Sequence, residues 1–213
     1  MKFKEVIEKY VKGLERDKGA VVLGDLEQYH DYLITINSDE KGKSDFIIIE
    51  DICESSLIDF VGDYLLRKVE LNEKNYISVL NNFKAFFEYL RQNNDITEQK
   101  ADKIIKILNY YIEIIPVLKK FERKLKEFIN SSLGSYGRMK EIKSSLVTVE
   151  RIENDNLWLN VMAEDKIIGP FVVTDEIAQS ARRGFSFECE YGRIGNKYYF
   201  IFVGNVYPEG FEV

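Results

Sequence analysis

SLIDFVGDYL, running from Ser56 to Leu65, decides the fold of the first half of this chain. Leu57, Phe60, Val61, Tyr64 and Leu65 recur at i, i+3, i+4, i+7 and i+8, which puts them on one face of an α-helix. Downstream, Tyr76, Leu80, Phe83, Phe87 and Leu90 repeat that stripe. Ile104, Leu108, Tyr111, Ile115, Leu118, Leu125 and Ile129 carry it on, with Glu122 interrupting. Helices with one apolar face need a partner to cover it, so residues 57–129 are expected to form a helical bundle. Upstream, Phe3, Val6, Ile7, Tyr10, Val11 and Leu14 predict a further helix, with Asp17, Lys18 and Gly19 as its stop. Residues 20–51 read as a helix from about Asp25 followed by an extended segment over Phe46–Ile49.

Asn72 or Glu73 is expected to open the helix through Leu90, with Asn93, Asn94 and Asp95 closing it. Thr97 is a natural N-cap for the next helix, with Glu98 in the first turn where the helix dipole favours a carboxylate. Pro116 lies inside that helix and removes the hydrogen bond to the Ile112 carbonyl. A kink or a new helix start is therefore expected there.

Ser131, Ser132, Gly134, Ser135, Gly137, Ser144 and Ser145 mark residues 131–145 as a linker. From Leu146 the hydrophobic period falls to two. Val147 and Val149, then Leu157, Leu159 and Val161, then Ile167, Gly169, Phe171 and Val173 read as the same-face residues of three strands. Thr174, Asp175 and Glu176 start a short helix that Arg182, Arg183 and Gly184 end. Phe185, Phe187, Cys189 and Tyr191 oppose Ser186, Glu188 and Glu190 on a fourth strand. Tyr198, Phe200 and Phe202 oppose Tyr199, Ile201 and Val203 on a fifth. The expected class is α+β: a helical domain over 1–130, a linker over 131–145, and a small five-stranded β-barrel over 146–213. One helix between the third and fourth strands matches an OB-like barrel, with an SH3-like barrel as the alternative.

Leu57, Phe60, Tyr64 and Leu65, with Leu71 to Tyr76 and with Leu80, Phe83, Phe86, Phe87 and Leu90, resemble the core-binding domain of tyrosine recombinases. The resemblance covers about residues 57–108. It implies a helical packing module, and the recombinase catalytic domain has no counterpart in this chain. The helix from Asn75 to Arg91 offers only Lys84 and Arg91 to phosphates. The whole chain also looks like uncharacterised prokaryotic proteins that join such a module to a small β-domain.

No nucleophile, metal or phosphate-loop motif occurs, and His30 is the single histidine. Gly134-Ser135-Tyr136-Gly137-Arg138 lacks the Lys-Ser/Thr end of a phosphate loop and follows a helix rather than a strand. Cys53 and Cys189 stand far apart with no Cys-x-x-Cys, so neither a zinc site nor a disulfide framework is expected. The expectation is therefore a protein that is not an enzyme and takes no cofactor. Met1–Leu14 has no apolar signal core, and no apolar run approaches a membrane span, which points to a cytoplasmic protein with no membrane partner.

Charge is uneven within a net −6: residues 98–143 carry +5 and residues 144–213 carry −5. Lys119, Lys120, Arg123, Lys126, Arg138 and Lys140 make the basic stretch, while the β-region offers Arg182, Arg183, Arg193 and Lys197. Trp158 and Tyr199 alternate out of phase with core residues and are expected to face outward. Two readings follow. In the first, the chain is an interaction protein whose partner is another protein or a second copy. In the alternative, those cations grip a nucleic-acid backbone while Trp158 and Tyr199 stack bases.

Overall fold

In a computed structural model of the chain, residues 1–41, 47–68, 72–132 and 139–209 are described. Two compact units result, Met1–Glu113 and Ile114–Gly210.

The first unit is helical. Helix α1 (Phe3–Lys12) is followed by α2 (Arg16–Lys41), a 3-10 turn at Ile49–Asp51, α3 (Glu54–Asp59), a π-helical segment (Phe60–Tyr64) and α4 (Leu65–Lys68). Helix α5 (Glu73–Gln92) and the first part of α6 (Glu98–Ser132) complete it. The Asn72 side chain caps α5 by accepting from the Asn75 amide at 2.9 Å, and Thr97 Oγ1 accepts from the Lys100 amide at 3.3 Å. The core is an aromatic cluster. Tyr29 lies within 6.0 Å, centroid to centroid, of Phe3, Phe60 and Phe83, so one ring ties α1, α2, the π segment and α5 together. Tyr29 reaches the Ser56 hydroxyl at 3.0 Å, and the Tyr76 hydroxyl donates to the Val61 carbonyl inside the π segment.

Gly19 does not stop a helix. It lies inside α2, where an added Cβ would stand 3.2 Å from Val11 Cγ1 of α1. The glycine permits two helices to approach closely, and the chain break comes earlier, at Gly13. Tyr32–Ile36 lies in the expected helix, since α2 continues to Lys41. Of the expected extended segment, Ile48 bridges to Lys2 and Phe46 lies outside the described residues.

Helix α6 runs unbroken from Glu98 to Ser132 with Pro116 inside it, so no new helix starts there. Ile115 and Leu118 on either side are fully buried, and burial of that kind outweighs the one hydrogen bond that proline removes. The division between units falls inside this helix, upstream of residue 130. Of the expected linker, Ser131 and Ser132 end α6, Lys140–Ser145 already belong to a strand, and residues 133–138 lie outside the described residues.

The second unit joins the last turns of α6 to a five-stranded sheet: β1 (Lys140–Glu153), β2 (Asn156–Val161), β3 (Lys166–Val172), β4 (Ser186–Ile194) and β5 (Lys197–Tyr207). Helix α7 (Asp175–Ser180) sits between β3 and β4, capped by Thr174 Oγ1 accepting from the Ile177 amide. The strand order is β1-β2-β3-β5-β4, β4 pairs back onto β1, and β3 runs parallel to β5. Val147, Val149, Leu157, Leu159, Phe171, Phe187, Cys189 and Phe200 face one core, into which Leu118, Phe121, Leu125 and Ile129 of α6 also pack. The Phe121 ring lies 5.8 Å from Phe185 and 6.0 Å from Phe187.

Two β-bulges change which side chains face outward. The β4–β5 register slips between Glu190 and Tyr191, so Val203 turns inward and Phe202 turns to solvent, against the simple alternation. The β2–β3 register slips between Leu157 and Leu159, leaving Ile167 exposed while Phe171 is buried.

Truncating Phe121 tests how far the second unit depends on α6. Phe121→Ala should cost about 3–5 kcal/mol. Urea unfolding followed by the fluorescence of Trp158, the one tryptophan of the chain, should show a lower midpoint.

Candidate functional site

The sequence-predicted cations divide into two groups on the second unit. Lys140 pairs in register with Arg193, and Lys197 opens β5 opposite Ile194, so these three gather at the start of β1. Arg182 and Arg183 follow α7, next to Gly184, whose amide donates to the Val149 carbonyl at 2.9 Å. Lys140 and Val149 stand about 25–30 Å apart along β1 at the usual strand rise. Arg138 lies outside the described residues.

Two of these charges are spent on neighbouring carboxylates and a third on backbone carbonyls. Arg193 meets Glu141 at 3.0 Å and Arg183 meets Glu150 at 2.5 Å. Arg182 donates to the carbonyls of Gln179 and Ala181 at 3.0 and 2.7 Å. On α6, Lys119 and Lys126 both pair with the buried Glu122, at 3.2 and 2.5 Å. This explains the carboxylate that interrupts an apolar stripe: two cations one turn to either side neutralise it. Arg123 pairs with Glu127 at 3.3 Å, and Lys124 with Glu176 at 2.6 Å, which holds the Glu176 carboxyl below its ordinary pKa.

Trp158 and Tyr199 stand two strands apart, with β3 between them, and both are half-buried. Trp158 lies against β3, where a Cβ added at Gly169 would come 2.7 Å from its Cδ1. The Arg151 guanidinium sits 4.3 Å from the indole centroid. A base seeking that face must displace a cation already stacked there. Tyr199 sits opposite Gly192 on β4.

Other chemistry is sparse. A cleft of about 650 Å³ in the helical unit is lined by Lys2, Lys4, Glu5, Glu8, His30 and Asp31 among others, with both signs of charge interspersed. His30 packs at a 6.0 Å centroid distance from Phe3, with Nδ1 3.5 Å from Asp31. Among the described residues no three of His, Cys, Asp and Glu converge as a metal site. No helix among them is long and apolar enough to cross a membrane. Cys53 is exposed and Cys189 buried, and neither is bridged.

The residues that pattern reading missed lie on the outer face of β1 and β5 and, in the case of Met162, just after β2. Ile142 is 63% exposed, Leu146 43%, Met162 52% and Phe202 54%. Glu188 and Glu190 stand between them, turned out because Phe187 and Cys189 turn in. Their alternation was visible in the sequence; the bulge that adds Phe202 was not.

No family model matches the chain, and no curated protein and no solved structure matches it either.

The Trp158 arrangement makes a spectroscopic prediction. Arg151→Ala should uncover the indole, shifting its emission to the red and raising acrylamide quenching, at a stability cost of no more than about 1 kcal/mol. The two thiols should also separate kinetically. Burial pushes the Cys189 thiol up to about 12. Partial burial acts in the same sense on Cys53, but hydrogen bonds from Ser55 and Ser56 outweigh it and hold that thiol below its ordinary value. At pH 8 an aromatic disulfide reagent should titrate one thiol quickly and the second only after unfolding, and Cys53→Ser should abolish the fast phase.

Proposed function

We propose that this chain is a non-enzymatic interaction protein of the cytoplasm, needing no cofactor, whose second unit is an OB-like barrel presenting a protein-binding surface. The OB-like reading is supported by the strand order β1-β2-β3-β5-β4 returning to β1, by the parallel β3–β5 pair and by the helix between β3 and β4. An SH3-like arrangement draws no support from that connectivity. Two unbridged cysteines fit a reducing compartment. The likeness of residues 57–108 to a recombinase core-binding domain is carried as a likeness in helical packing alone.

The observation that carries the binding reading is a contrast on the second unit. Ile142 and Leu146 on β1, Phe202 on β5 and Met162 just after β2 are open to solvent, while the cations that a phosphate backbone would need stand in two separate groups, with Arg183 and Arg193 paired to carboxylates. Exposed apolar clusters on a folded domain mark contacts with other proteins. The second reading, nucleic-acid binding, is favoured by one observation: an indole on β2 with an arginine stacked on it, on the strand that OB-folds use for oligonucleotides.

Labelled single- and double-stranded DNA and RNA titrated at low and moderate salt separate the two. We expect no micromolar binding. Binding that weakens steeply with salt, through counterion release, and is lost on Trp158→Ala or Arg182→Glu would establish the second reading in place of the first.

A further inference from the structure

The outer face of β1, β4 and β5 is chemically particular, and its pattern specifies a partner. In one row Leu146 stands opposite Glu188, and a Cβ at Gly204 would come 3.7 Å from Glu188 Cβ, which places Gly204 beside it on β5. In the next row Ser144 stands opposite Glu190, which stands opposite Phe202. The Met162 amide donates to the Leu146 carbonyl at 3.1 Å, so Met162 flanks the first row, and Ile142 is exposed on β1 two residues before Ser144, where the β1–β4 register slips. Two carboxylates about 7 Å apart thus lie on the middle strand of the face among four exposed apolar groups, with the small residues Ser144 on β1 and Gly204 on β5 beside them. Neither Glu188 nor Glu190 forms an ion pair among the described residues, and no cation stands in either row.

Resting on the binding reading above, we propose that this face docks an amphipathic helix of a partner protein that carries lysine or arginine among its apolar residues. β4 is paired on both sides, by β1 and β5, so an extended segment cannot add to it and recognition must run through side chains. A sheet face is covered by another sheet or by a helix laid across it. Apolar contacts to Ile142, Leu146, Met162 and Phe202 remove water from Glu188 and Glu190. Desolvated carboxylates need cations opposite them, so a neutral or acidic helix is rejected. A second copy joined face to face by a two-fold axis would set the glutamates of one copy against those of the other. A polyanion is repelled outright.

The probe is a labelled 20-residue helical peptide with leucines at i, i+3, i+4 and i+7 spacing flanked by lysines. Its counterpart has glutamates in place of the lysines. Binding to the full chain is followed by fluorescence anisotropy at about 0.15 M salt. We expect the lysine peptide to bind and the glutamate peptide not to. Affinity should fall at least about tenfold in Glu188→Lys/Glu190→Lys and in Phe202→Ser, and stay unchanged in Glu5→Lys/Glu8→Lys, which reverses charge on α1. The charge-reversed face should gain binding to the glutamate peptide, a result that misfolding cannot produce. Lysine-peptide binding indifferent to the face variants, or no binding at all, would overturn the proposal. So would self-association that Phe202→Ser disperses, since the face would then belong to a second copy. If neither peptide nor nucleic acid binds, this inference alone falls; if nucleic acid binds and Trp158→Ala abolishes it, the reading beneath it falls as well.

Discussion

The second half of this protein depends on a helical stripe that has no tolerable place in water. Leu118, Phe121, Leu125 and Ile129 are fully or almost fully buried, and the surface that buries them is the inner face of the sheet. The dependence is mutual. Phe185, Phe187 and their neighbours would face a void without the rings and methyl groups of α6, and close packing leaves no spare side chains to fill it. From that requirement follow the inward alternation of every strand and the outward position of what is left over, Glu188 and Glu190 included.

Periodicity carried much of this on its surface. The 3.6-residue stripe over 57–129 and the two-residue alternation after Leu146 are direct records of burial, and helices followed by a five-stranded sheet are what form. Sequence reading went astray where a residue type has two physical uses. Gly19 looks like a helix stop but serves a close approach between α1 and α2. At Pro116 one of the two expected outcomes, a new helix start, does not occur, because tertiary burial of Ile115 and Leu118 carries the helix through it. The bulges in β4–β5 and β2–β3 are invisible to alternation, because one inserted residue inverts the phase of all that follow.

The candidate site was less legible than the fold for a different reason. A count of lysines and arginines says nothing of what stands next to them. Arg183 and Arg193 meet carboxylates from β1, and Lys124 meets one from α7, all contacts between segments distant in sequence. Glu122 shows the opposite limit: within one helix its partners at positions 119 and 126 could have been read from spacing alone. Local charge pairing is written in the sequence, and long-range pairing is not.

The sharing of α6 between two cores bears on how such a protein can be rearranged by evolution. The glycine- and serine-rich residues after Ser132 look like the natural place for recombination to cut. A cut there would hand the strands to a new neighbour without the helix that fills them, leaving an uncovered apolar interior prone to aggregate. The compact unit is Ile114–Gly210, half a helix together with its sheet. Its seam lies in the middle of a regular element, where no change in composition advertises it.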